Sequence, residues 1–235
     1  MGPGEMGPGG RMSGFYFTMD RRRLILGLIW LPIYIFILPI LLTVLQEAYP
    51  AFSDSYAEFL RQALSAVVLF AALFPFLRAE FDGLMNRKGR AVFAILGGLV
   101  LYFTLSYICT ILGFMLIPNA ESVFNTWSAE ANTWDRGPVF AALVILAPLT
   151  EGLLFRGCVF GPLREKRKGL AYLFAVVVCV AAQTWPYALG GLSAELPLAI
   201  LQAIPAAIVL CWSYETSQSL WASIFLQMLI GALNI

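Results

Sequence analysis

The sequence predicts an all-α, polytopic membrane helical bundle of about seven transmembrane helices. The chain is 60% hydrophobic and only 12% charged, with a mean hydropathy of +0.80, whereas a soluble domain carries about 25% charged residues. Its apolar residues also fall in blocks close to the ~20 residues a helix needs to cross the hydrocarbon core. Short charged links separate these blocks. In 235 residues, six to eight such blocks leave no room for a soluble domain, so residues 21–235 read as a single transmembrane domain.

The first fourteen residues, MGPGEMGPGGRMSG, are rich in Gly and Pro and offer nothing to bury. A tail reaching to about residue 20 is expected to be disordered or left over from expression. Arg21, Arg22 and Arg23 precede an apolar run over 24–45, too long for a signal-peptide core and therefore the first span. Residues 46–61, interrupted by Pro50, read as a loop with a short interfacial helix. Spans two and three are expected at 62–77 and 91–117, with a basic loop over 78–90 between them. The acidic loop 118–137 carries Trp127 and Trp134 as interface anchors. Span four covers 138–163 and is closed by the charged run 164–168. Spans five to seven follow at 171–189, 196–212 and 220–235.

Charge then sets the orientation. With the amino terminus inside, Arg11, Arg21–Arg23, Arg78, Arg87, Lys88, Arg90, Arg164 and Lys166–Lys168 are cytoplasmic, which is twelve of the fifteen basic residues. The positive-inside rule therefore predicts a multi-pass protein of the cell membrane, amino terminus cytoplasmic and carboxyl terminus outside. A formal net charge of +1 gives no basic face for a nucleic-acid partner. The chain has no histidine, which excludes serine–histidine triads, HExxH zinc sites and histidine proton relays. Cys109, Cys158, Cys179 and Cys211 all lie in apolar runs without a CxxC pair and read as core residues. No metal and no cofactor is implied.

Within span four, residues 147–157 read APLTEGLLFRG and set Glu151 and Arg156 inside an apolar segment. An ionisable side chain at that depth costs about 2.5–3.5 kcal/mol on insertion scales and commonly marks a site. The plainer alternative is an Arg that snorkels to the headgroups and a Glu hydrogen-bonded to a neighbouring helix. Gln183, Gln202 and Gln227 add amides to the later spans. Such amides commonly just hydrogen-bond across the bundle, and that reading is accepted for Gln202.

The run APLTEGLLFRG resembles the first motif of the CPBP family, the CAAX prenyl proteases and bacteriocin-processing (Abi) membrane proteins. That motif is Glu-Glu-x-x-x-Arg, usually preceded by Ala-Pro and followed by Gly. The resemblance continues in order over about 139–235. CVAAQ, ending at Gln183, stands where the family has Phe-x-x-x-His, and SLWASIFLQMLIG, carrying Gln227 and Gly231, stands where it has Leu-Trp and then His-x-x-x-Asn or Asp. The resemblance implies an intramembrane glutamic endopeptidase scaffold open to the cytosol, in which the first Glu and a His activate water and the last motif holds the oxyanion. By position, Glu151 is the carboxylate and Arg156 the guanidinium.

This chain departs from the pattern where the chemistry lies. Gly152 replaces the second Glu, Gln183 and Gln227 replace both histidines, and Gly231 replaces the Asn or Asp. Glutamine can donate or accept a hydrogen bond but does not shuttle a proton at neutral pH. General acid–base help is worth about 10²–10⁴-fold, so little turnover is expected. The expectation is a protease-like scaffold that binds a peptide, a lipid-modified peptide or a membrane partner. The alternatives are an active endopeptidase using Glu151 with glutamines as oxyanion donors, a small transporter with Glu151 as its ion site, and a structural subunit of a larger complex.

Overall fold

A computed structural model describes residues 15, 17–49, 51–131, 136–189 and 194–234. Among them every regular element is helical. Eight helices follow in order: α1 Arg21–Ala48, α2 Asp54–Asn86, α3 Lys88–Leu116, α4 Ala120–Ala131, α5 Arg136–Lys166, α6 Lys168–Leu189, α7 Glu195–Ser217 and α8 Leu220–Asn234. All but α4 and α8 are long and apolar enough to cross a membrane, so the chain is a multi-pass membrane protein. The last predicted span, α8, is apolar but has 15 residues.

Three predicted loops are largely helical instead, the acidic one expected over 118–137 holding α4. Of the stretch expected over 46–61 as a loop with a short interfacial helix, residues 46–48 end α1 and 54–61 are the first two turns of α2, which runs unbroken from Asp54 through an internal Pro75 to Asn86. Its polar residues satisfy one another: Arg61 pairs with Glu58 at 2.7 Å, and Gln62 donates to Glu58 at 2.9 Å. The basic loop expected over 78–90 shrinks to a break at Arg87, because Glu80 is buried and bonded to another helix. Of the tail expected to residue 20, Phe15, Phe17 and Met19 pack against the bundle. Phe15 and Met19 are buried, and Phe15 sits edge-on to Tyr214 with ring centroids 5.0 Å apart. Residues 1–14, and the Trp127 and Trp134 side chains, lie outside the described residues.

Helix α5 is the centre of the bundle: 56% of its most apolar window is buried, against 11% for α3. Side chains of α1, α2, α6, α7 and α8 surround it in one apolar cluster. The winding of α5 is unusual. Residues Ala141–Leu146 and Gly152–Phe160 are π-helical, separated by the short α-helical piece Ala147–Glu151. Pro148 has no N–H to give to the preceding turn, which favours a widened first stretch. All nine residues of the second stretch are buried. A π stretch inside an α-helix is costly and concentrates at functional sites.

Candidate functional site

Glu151 ends the α-helical piece of α5, and the wide turn after it begins at Gly152. Arg156 is 2% exposed, and its Nε has no hydrogen-bond partner among the described residues. The two charges form no ion pair within 4 Å. A third side chain joins them: Arg156 Nη2 donates to Gln227 Oε1, and Gln227 Nε2 donates to Glu151 Oε2 at 2.7 Å. The amide of α8 thus satisfies both ions of α5. Charge and counter-charge are held in one neutral unit, which lowers the cost of keeping them away from water.

The first half of the chain contributes the other side of the carboxylate. Tyr34 lies in a π-helical turn of α1, Ile33–Ile37, and is 2% exposed. Its hydroxyl donates toward Glu151 Oε1 at 3.3 Å and accepts from Gln62 Nε2 at 3.0 Å. The Arg61 guanidinium stacks over the Tyr34 ring, 4.8 Å from its centroid. Sequence reading missed this group. A lone phenol in an aliphatic run and the Glu58, Arg61, Gln62 spacing were the only signals, and neither says that α1 and α2 face Glu151.

Glu151 borders two cavities. One, of about 410 Å³, is lined by Tyr34, Gln46, Asp54, Glu58, Arg61, Gln183 and Trp185 among others. The other, of about 150 Å³, lies behind it against Arg156, Cys179, Gln183, Gln227 and Gly231. Of the residues singled out in the sequence, Glu151, Arg156 and Gln227 are directly linked. Gln183 lines both cavities but bonds neither Glu151 nor Gln227. Its amide nitrogen lies 3.6 Å from Cys179 Sγ. Gln202 donates to Thr110 at 3.1 Å, an interhelical tie away from the site.

The two glycines at departed motif positions are packed tight. A Cβ on Gly152 would stand 2.8 Å from Ile224 Cγ1 and 3.4 Å from Arg156 Nη2. Ile224 of α8 therefore fills the space a second carboxylate would need. A Cβ on Gly231 would stand 3.3 Å from the Leu143 carbonyl oxygen, so α8 approaches the backbone of α5 there.

Residues 133–233 match the family model described as type II CAAX prenyl endopeptidase, Rce1-like. Over this stretch, which is less than half of the chain, the protein is similar to the CAAX-protease family. The match begins just before α5 and ends within α8, so it takes in Glu151, Arg156, Gln183 and Gln227 and leaves out Tyr34 and the α2 residues. No curated protein and no solved structure matches the chain.

Proposed function

We propose that this CAAX-protease-like membrane protein binds a peptide or a lipid-modified peptide in the cavity beside Glu151 and hydrolyses it little or not at all. The observation that carries this reading is the Gln227 amide standing between Arg156 and Glu151. A general base must have a lone pair free for water and a partner to pass the proton to the leaving amine. Each oxygen of the Glu151 carboxylate accepts one hydrogen bond and keeps a lone pair for water, but the amides at 183 and 227 cannot take up a proton, so no partner relays it. Positioning and polarity remain; proton transfer does not. The cavity of about 410 Å³ is in the range of small-ligand sites, room for a few extended residues.

A second reading, an endopeptidase that still uses Glu151, is favoured by one feature. An amide donor beside the carboxylate can stabilise an oxyanion, and one such donor is worth about 10²–10³-fold in rate. One experiment separates the two. The full chain in nanodiscs is titrated with a fluorescent prenylated peptide, and the same mixture is followed by mass spectrometry, beside Glu151→Gln. Saturable binding weakened by Glu151→Gln, with the peptide intact, is the expected result. Cleavage abolished by that substitution sinks the binding-only reading, and absence of binding sinks both.

A further inference from the structure

The larger cavity extends from Glu151 toward one end of the bundle, and the two ends of the bundle differ in charge. Helices joined by short links alternate in direction. The start of α1, the α2–α3 break at Arg87, the α5–α6 break at Arg167 and the α7–α8 turn therefore share one end of the bundle. The α1–α2 link, the end of α6 and the start of α7 share the other. The first end carries the basic residues of 21–23, 87–90 and 164–168. The second carries Glu47, Asp54, Glu58, Glu121 and Glu195 beside two arginines, Arg136 and Arg61, the latter paired with Glu58.

From Glu151 and Tyr34 in mid-bundle, the cavity lining continues to Gln46 and Asp54, which hydrogen-bond each other across the α1–α2 link at 2.7 Å, and to Trp185 and Pro186 near the end of α6. None of its lining residues belongs to the basic end. Basic links are retained in the cytoplasm during insertion.

We propose that the Glu151 cavity opens to the non-cytoplasmic face, so that its occupant is a peptide already carried across the membrane. The occupant rests on the peptide-binding reading; the side does not. A cytosolic carboxyl-terminal tail, the substrate the family resemblance suggests, cannot reach this mouth without crossing the bilayer. The reaction that must supply such an occupant is polypeptide export.

The test maps both ends of the full chain in intact cells. Cys158, Cys179 and Cys211 are buried, so Cys109→Ser gives a quiet background for single additions of Glu47→Cys, Asp54→Cys and Lys166→Cys. Residues 47, 54 and 166 are all exposed. With a membrane-impermeant maleimide, the variants at 47 and 54 are expected to label in intact cells and the variant at 166 only after permeabilisation. The reverse pattern, or labelling of both ends from outside, overturns the proposal. Glu47→Cys serves as a second reporter should the loss of Asp54 disturb the link. A prenylated peptide added outside is then expected to slow labelling at 54. Slowing only when the peptide is delivered to the inside also overturns the proposal. With outside labelling intact, no slowing from either side discards the peptide and leaves the side of the opening standing.

Discussion

Both oxygens of the Glu151 carboxylate are engaged, Oε1 by the Tyr34 hydroxyl at 3.3 Å and Oε2 by the Gln227 amide at 2.7 Å. A carboxylate held from two sides presents one fixed orientation to the cavity. Tyr34→Phe keeps the ring that packs against Phe155 and removes only the donor. It is expected to weaken binding of the prenylated peptide roughly 3- to 10-fold. In a Glu151→Gln background the same change should cost less than about twofold, since coupled residues are not additive. Equal losses in both backgrounds, measured by fluorescence titration, mean that Tyr34 does not act through Glu151. Glu151, Arg156 and Gln227 were legible in the sequence because charges and amides stand out against apolar neighbours. Tyr34 was not, because a phenol in an apolar helix looks like packing until the helix facing it is known. The role of Gln183 was read from order and spacing alone, and those do not fix where an amide points.

Between elements, the decisive contact is made far from the motif residues. Glu80 of α2 is buried and accepts the Leu220 backbone N–H at 2.7 Å, and the Ser219 hydroxyl donates to the Glu80 carbonyl oxygen at 2.9 Å. The Trp221 indole donates to the Leu77 carbonyl at 2.9 Å. The first turn of a helix has N–H groups without intrahelical partners, and a carboxylate there satisfies one and complements the dipole. Glu80 therefore fixes the start of the helix that carries Gln227. Glu80→Ala should leave the Leu220 amide unpaired, at a cost of about 1–3 kcal/mol. Hydrogen exchange at 220–223 would rise before exchange in α5; unchanged protection there would refute this role. The sequence placed Glu80 in a basic loop because local charge density suggests a surface. Only the fold reveals that α8 begins beside it. The π winding of α5 was equally hidden, as no residue pattern marks a widened turn apart from the neighbouring Pro148.

At the scale of the whole molecule, the segment before α1 closes one end of the bundle. Phe15 meets Phe160 and Tyr214 with centroids 6.1 and 5.0 Å away, and Phe17 meets Phe76 at 5.9 Å. Beside them Glu215 of α7 accepts from Arg164 at 2.6 Å, Lys168 at 2.8 Å and Tyr172 at 2.6 Å, tying α5, α6 and α7 together. Phe15→Ala is expected to destabilise the bundle by about 3 kcal/mol, the usual cost of deleting a buried ring. A thermal midpoint in detergent within a degree of the wild type would show that the segment is ornamental. Hydropathy made the six long apolar helices readable, but not α4, whose polar residues carry no hydropathy signal. It could not show that residues ahead of Arg21 join the core, since their neighbours are glycines, prolines and a single short aromatic run.

Gln227 joins Arg156 to Glu151 from a different helix, and the start of that helix is held by Glu80 of α2. The polar linkage therefore closes only when α2, α5 and α8 have docked, which makes it a checkpoint on the assembly of the bundle as well as a feature of the site.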